Sequence, residues 1–598
     1  MTRRGQAGVR SAIWRAGCVH AAVAALAWPQ LASAQAVQPP SREELNVGRP
    51  AAPQPQQNRL TVEGGLERGP CPLAEPQFAN VKVTFSNVEF DGLPGVPASM
   101  LDSAWRDLAG REVPIASLCE VRDRASAILR EGGYLVAVQV PPQRIETSGT
   151  VKMDVLAAKL VEVELRGDTG PSSKLIASHL NSLTGRPWFN THEAERELLL
   201  LGDLPGYDVR LTLRSAQRAP GEVVGVVQIV RRPIELVVGV QNLASRQTGR
   251  EGAFAEVAFN DLLGLGDRTT VSYYNTFDWS EQHILRAAHD LALNANGLRL
   301  GGSVLYGRTR PSIAGGAFRS ETVAGEIHLT DALVRSEASS FYATGGLEIV
   351  DQRLSFGGTP LSDDKLRVVY ARLDHQAVDP ASMRGVGGYT SREARWRSAA
   401  QLELRQGIDA LGASPACNPV AICLPPNVGL SNLSADPTAF VARFQGVFEY
   451  RPVPRLTLAV SPVAQLAGSP LLSYEQISFG SYTVGRGLDP GVVLGDDGIG
   501  TSVELRYGSL FPRQRNGFAF EPFVFLDYAK GWIHDRGLNP DPRDVLTTGG
   551  GMRARWSDHL DAALTFAAPL QRAGYQTKRG PARLLFTITA RLVPWGDR

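Results

Sequence analysis

Two short stretches of the chain carry residue types suited to holding rather than to bond-making. The first is Val484-Gly485-Arg486-Gly487-Leu488, inside a Gly- and Asp-rich segment that runs from 481 to 500. The second is Phe525-Leu526-Asp527, one hairpin later. By itself, an arginine between two glycines is a solvated loop charge. Opposite an inward-pointing carboxylate it becomes half of an ion pair, because the planar guanidinium fork can grip both oxygens. Gly485 and Gly487 permit a backbone shape and a close approach that a side chain would block. Away from bulk water such a pair is strong only while both partners are present; removing one leaves an uncompensated charge. No G-x-S-x-G elbow, Walker loop or H-E-x-x-H pair occurs. Asp496-Asp497-Gly498 lacks the twelve-residue pattern of a calcium loop, and the nine histidines are scattered. We expect no enzyme, no catalytic residue, no cofactor and no metal.

The pair needs a wall for Asp527 and a loop for Arg486, and the flanking patterns supply both. In 518–530, Phe518, Phe520, Val524, Leu526 and Tyr528 share one face, while Glu521, Phe523, Phe525 and Asp527 share the other. In 501–510, Val503, Leu505 and Tyr507 oppose Ser502, Glu504 and Arg506. Near the C-terminus, Leu584, Phe586, Ile588, Ala590 and Leu592 oppose Arg583, Thr587, Thr589 and Arg591, with Leu585 the exception. Helical periodicity vanishes after Pro233. The stretch 233–598 divides into sixteen strands of membrane-spanning length, which predicts a transmembrane β-barrel with lipid outside and a polar lumen. Short turns at 261–267, 294–297, 452–454 and 557–558 alternate with long segments at 409–437 and 468–500, which places the long ones outside the cell. The connection near 379–391 is too long for a turn. Trp532 and Trp595 read as interface aromatics.

Upstream, basic Arg3, Arg4, Arg10 and Arg15, a short apolar stretch at 19–26 and Ala32-Ser33-Ala34 read as a signal peptide over 1–34. Residues 35–70 are Pro- and Gln-rich and read as a flexible linker or plug; Ser41-Arg42-Glu43-Glu44-Leu45 offers its one helix start. A strand at 81–85, helices at 98–108 and 115–130, and strands at 134–140 and 151–156 follow, and the order then repeats. This predicts two β-α-α-β-β units, 71–156 and 157–232, whose sheet edges can accept an extended peptide. After cleavage four cysteines remain. Cys417 and Cys423 flank a small loop, which leaves Cys71 for Cys119, and the even count in an exported chain favours disulfides. A net charge of +2 with no run of like charge argues against nucleic acid.

These residues resemble the two-partner secretion outer-membrane transporters (TpsB; haemolysin secretion/activation proteins of the ShlB/FhaC/HecB kind), within the superfamily of POTRA-bearing barrels. The family's loop tip, V-R-G-[YF], is matched by Val484-Gly485-Arg486-Gly487-Leu488, with an extra glycine and a leucine in place of the aromatic. Its F-x-D wall motif is matched by Phe525-Leu526-Asp527. The approach Glu475-Gln476-Ile477-Ser478-Phe479-Gly480 is similar too, as is the turn at Asp267-Arg268. The family's paired cysteines correspond to Cys71 and Cys119. The resemblance implies two periplasmic POTRA domains before a sixteen-stranded barrel, a lumenal latch between Arg486 and Asp527, and a monomer in outer-membrane lipid. It implies export of a secreted TpsA-like polypeptide, an adhesin or haemolysin, captured by the POTRA domains. The rival within the superfamily is an outer-membrane assembly insertase. The family's terminal aromatic is replaced by Leu592, and the chain runs on to Arg598.

Overall fold

The computed structural model of the chain describes residues 39–47, 60–62, 71–146, 149–313, 317–514, 516–534, 544–574, 576 and 578–594. The expected signal peptide, most of 35–70 and Trp595 lie outside them.

The first unit packs one helix, Ser117–Glu131, on a three-stranded sheet of Phe85–Asp91, Gly149–Ala157 and Val136–Gln139. Leu118, Val121, Ala125 and Leu129 form the helix's apolar stripe, and they bury against Phe85, Val151 and Met153. Two expectations are corrected here. The expected helix at 98–108 is a 3-10 helix, Ala98–Ala104. It has no side-chain N-cap bond, Met100 faces solvent, and only Leu101 and Ala104, three residues apart, are buried. The expected strand at 81–85 is a two-residue ladder, Lys82–Val83 on Val113–Pro114; the sheet strand begins at Phe85. A register shift between Phe85 and Asn87 resets the alternation so that Val88 and Phe90 also point inward. Cys71 is bonded to Cys119 with Cα atoms 6.0 Å apart, tying the chain's entry to this helix.

The second unit has strands Lys159–Gly167, Tyr207–Ser215 and Glu222–Arg231 with helices Ser173–Thr184 and Thr191–Gly202 over one face. Asn190 caps the second helix by accepting from the amides of His192 and Glu193. The sheet has a fourth member. Leu60–Val62 lies parallel on the edge of Tyr207–Ser215, and Leu60 packs on the unit's core.

Beyond Arg231 the chain is a closed barrel of sixteen antiparallel strands, shut by pairing Ile234–Gln241 with Arg583–Val593. Closure leaves no open sheet edge, as lipid requires. Val304, Ile327, Phe518, Val524, Phe566 and Leu584 are exposed on its outer face. Three strands, Phe318–Arg335, Ser339–Phe356 and Thr359–Val378, have 18, 18 and 20 residues. A spanning strand needs about 9–11, so these stand well beyond the bilayer. The segment near 379–391 is a built turn, with helix Pro380–Met383 capped by Asp379 and a 3-10 turn Val386–Gly388. No described helix is long and apolar enough to cross a membrane.

The barrel rests on the second unit through the turn after Gly252–Asn260. Asp261, fully buried, accepts from the Ser172 amide at 3.0 Å, the Ser172 hydroxyl at 2.5 Å and the Tyr207 phenol. Burial, and then the Asp261 carboxylate, raise the Tyr207 phenol well above the ordinary tyrosine range, so it remains a donor. Arg335 grips Asp203 with Nε at 2.7 Å and Nη2 at 2.8 Å beside it.

Candidate functional site

Period-two geometry decides which side chains meet in the lumen. On strand Phe518–Trp532 every second residue is buried, and Asp527 is wholly so. Strand Asp497–Tyr507 lies on one side, with Ser502 opposite Asp527, and strand Asp544–Trp556 on the other, with Thr547 opposite Asp527. Ser502, Glu504, Asp527 and Thr547 therefore form one polar patch on the inner wall.

The segment after Leu456–Ala467 turns back into the barrel. Ile477–Phe479 pairs with Val493–Gly495 as a two-stranded ribbon. Its tip is drawn tight by Gly480 N–H to Val484 O, Thr483 N–H to Gly480 O and Leu488 N–H to Gly485 O. Val484 and Leu488 bury with Phe479, Val493, Ala529 and Val545. Leucine thus fills the position where the resemblance has an aromatic.

Arg486 reaches the patch from this tip. Its Nε lies 3.0 Å from Asp527 Oδ2 and its Nη2 lies 2.7 Å from Oδ1, a bidentate fork. Its backbone N–H also donates to Oδ2 at 3.0 Å. Nη1 donates to Glu504 at 2.5 Å and Nη2 to Ser502 Oγ at 2.6 Å. The guanidinium lies 3.6 Å from the centre of the Phe525 ring, so the first residue of the wall motif supplies a cation–π face. Gly485 has φ +122° and Gly487 φ +89°. A Cβ at the first would meet Val545 at 2.8 Å, and at the second the Ala567 carbonyl at 3.0 Å. The glycines are needed for both conformation and approach.

The fork is one end of an ionic ladder across the inner wall. Glu504 also binds Arg553 at 2.9 Å and Arg506 at 2.6 Å; Arg506 binds Glu449 at 2.7 Å, and Glu449 binds Arg397 at 2.6 Å. On the far side of the tip Arg583 holds Asp489 at 2.8 Å and the Leu488 carbonyl at 3.0 Å. Sequence reasoning put Ser502 and Glu504 on the right face but did not join them to Arg486. It put Arg583 on the polar face without a partner, and it missed Thr547 and Arg553. The signal for them was alternation combined with register, which a single strand does not contain.

The same lumen holds helix Arg42–Leu45. Ser41 caps it in a complete capping box with Glu44. Leu45 is buried against Tyr274, Ile284 and Leu305; Gln352 donates to the Pro40 carbonyl at 3.2 Å, and Arg286 donates to Asn46. A cavity of about 530 Å³ separates this helix from the ribbon and the wall. Cys417 and Cys423 are bonded, with Cα atoms 5.6 Å apart. Among the described residues no group of His, Cys, Asp and Glu could hold a metal. Asp496 instead accepts from the amides of Leu471 and His534 and from Gln476. The assembled chemistry is that of a clamp, with carboxylates and guanidiniums mutually satisfied.

Comparison with known proteins gives a family context. Residues 83–157 match the model "POTRA domain, ShlB-type", and residues 371–554 match "Haemolysin secretion/activation protein ShlB/FhaC/HecB". The Heme/hemopexin transporter protein HuxB of Haemophilus influenzae (strain 86-028NP) is 31% identical over 165 residues, 27% of this chain. That match spans 29% of the length of HuxB. The Outer membrane transporter CdiB of Escherichia coli is 21% identical over 548 residues, 88% of this chain and 87% of the relative. The solved structure of CdiB from Escherichia coli has a TM-score of 0.67 at 18% identity, covering 88% of this chain and 93% of that one. CdiB from Acinetobacter baumannii gives 0.59 at 14%, covering 99% and 100%. At these identities the structural likeness is one of fold. The resemblance to ShlB/FhaC/HecB-type transporters is carried by both family models, a family of secretion proteins. The relative matched over most of its length, CdiB, is named an outer membrane transporter, and this chain shares its closed-barrel fold.

Proposed function

We propose that this barrel, of the ShlB/FhaC/HecB type, exports a partner polypeptide across the outer membrane by two-partner secretion. The observation that carries the reading is a loop folded into the lumen and held there by the fork of Arg486 on Asp527, with Glu504 and Ser502 completing its shell. A clamp inside a pore makes sense where the pore must be shut at rest and opened for a client. Residues 71–156 and 157–232 serve as two POTRA domains, and the exported chain adds to a sheet edge by main-chain hydrogen bonding. The helix Arg42–Leu45 acts as a plug beside the loop. The protein works as a monomer in outer-membrane lipid and takes no cofactor; the cargo is an unfolded adhesin- or haemolysin-like chain that folds outside.

Planar-bilayer conductance tests this. The wild type should conduct in small, flickering steps, and Arg486→Ala should lengthen the open events. Deleting 39–47 should give a larger and steadier pore. If none of the three proteins conducts, the export pore is wrong, and an assembly insertase becomes the better reading.

A further inference from the structure

The loop is fixed at two places, and the second is not at its tip. Glu475, at the base of the ribbon, is buried in the wall of strands Trp396–Gly407 and Phe440–Val453. Its carboxylate accepts from Arg405 Nε at 3.1 Å and Nη2 at 2.6 Å, and from Arg443. Its carbonyl accepts from Arg443 at 3.0 Å and Gln465 at 2.9 Å. The other leg is pinned at Asp496, whose carboxylate takes the Leu471 and His534 amides and whose carbonyl takes Gln465 at 3.0 Å. Between base and tip stands Gly480, with φ +148°, packed so closely that a Cβ would lie 2.4 Å from the Asp489 carbonyl.

We infer that Glu475 is a positioning residue that makes the loop a hinged flap: the ribbon stays bolted to the wall while the tip beyond Gly480 swings free of Asp527. Two features support the division. The guanidiniums that hold Glu475 keep wall partners of their own, Arg405 with Glu348 at 2.5 Å and Glu403 at 3.2 Å, and Arg443 with Glu403 at 3.6 Å. The base anchor is thus part of the barrel's own charge lattice, and the wall survives without Glu475. The lumenal helix presents Arg42 to this cluster across the cavity, but Arg42 is paired with its neighbour Glu43 at 2.9 Å. The ion pair of Arg42 lies within the helix, which carries two carboxylates, Glu43 and Glu44, to this one cation. The tip's clamp is separate, since Arg486 contacts none of the base residues.

The inference rests on the export reading only for what the flap admits; its test requires no transport, so the two fail separately. Single reporter cysteines, Ser478→Cys in the ribbon and Val484→Cys in the tip, are labelled with a small maleimide in full-length protein in liposomes. Both native residues are buried. Asp527→Asn should raise labelling at 484 by about tenfold or more, because it breaks the bidentate fork and leaves Arg486 with Glu504 as its one carboxylate, and leave 478 near its resting rate. Glu475→Gln should raise labelling at 478, and Arg443→Gln, which removes both carboxylate and carbonyl contacts, should raise it further. Heat-modifiable mobility identifies folded barrels. Equal exposure of 478 and 484 in Asp527→Asn would mean that the loop leaves as one body and overturns the hinge, whether or not the base variants fold. Resting labelling at 478 in both base variants would remove Glu475 from the role.

Discussion

At the scale of single residues the site is a contest between desolvation and pairing. A charge held inside a barrel loses much of its water, and only a complete set of partners offsets that. Asp527 has them: two guanidinium nitrogens, the Gly485 and Arg486 amides and the Thr547 hydroxyl at 3.3 Å. The backbone at Gly487 is as constrained as the side chains around it. Gly487→Ala would place a Cβ against the Ala567 carbonyl in a conformation that L residues avoid, costing roughly 1–3 kcal/mol. We expect it to lift the tip off the wall with both ion-pair partners still present. Open probability in bilayers should rise toward that of Arg486→Ala; a Gly487→Ala channel indistinguishable from wild type would show that the tip has room to spare.

At the scale of elements, two local ties set how the periplasmic units behave. The Cys71–Cys119 bond closes a separation of 48 residues, and the chain-entropy model values such a loop at about 4 kcal/mol. Replacing both cysteines by serine should lower the thermal midpoint of the first unit, read as earlier protease cleavage within 71–156 on heating, and leave the barrel's own melting unchanged. The second tie is the strand Leu60–Val62, which occupies the edge of Tyr207–Ser215, an edge that the proposed client could otherwise use. Leu60 is the residue that anchors it to the core. Leu60→Asp should release the strand, speed amide exchange along 207–215, and strengthen binding of an extended client peptide to that edge. Unchanged exchange there would mean that the edge is protected by something else.

At the scale of the whole molecule, the barrel and the second unit meet through several polar contacts. Asp261 is fully buried and serves Ser172 and Tyr207 at once, and the Arg335–Asp203 fork is a second contact. Asp261→Ala would leave the Ser172 amide and hydroxyl without this acceptor, at about 1–3 kcal/mol each, while the Tyr207 phenol keeps the Thr169 carbonyl at 2.8 Å. The unit should then swing more freely under the barrel. Cross-linking between a cysteine at Asn296 and one at Arg196, whose side chain donates to the Asn296 carbonyl at 3.2 Å, should fall while barrel conductance persists. A rigid joint in that variant would assign the coupling to Arg335.

Much of this was legible in the residues alone, because it is written locally. Alternation along each strand reports which side faces lipid, since neighbouring side chains must point to opposite faces; it marked the sixteen strands and turned Phe525 and Asp527 inward. Turn residues and helix caps likewise depend on a few neighbours, so Ser41 announced a helix start, and the helix expected at 115–130 appeared as Ser117–Glu131. The 3-10 helix Ala98–Ala104 was misjudged because apolar spacing does not distinguish three residues per turn from 3.6 when only two side chains are buried. What required the tertiary structure is whatever depends on closure and register. Ser502 and Thr547 flank Asp527 only because three strands pair in one register. Glu475 finds Arg405 and Arg443 only because a loop folds into a closed barrel. The helix Arg42–Leu45, in a stretch that reads as linker or plug, lies in the lumen because the barrel there offers Leu45 an apolar wall of Tyr274, Ile284 and Leu305. Short-range patterns fix each residue's face, but partners hundreds of positions away are chosen by the free energy of burying charges and apolar surface together, which no local stretch contains.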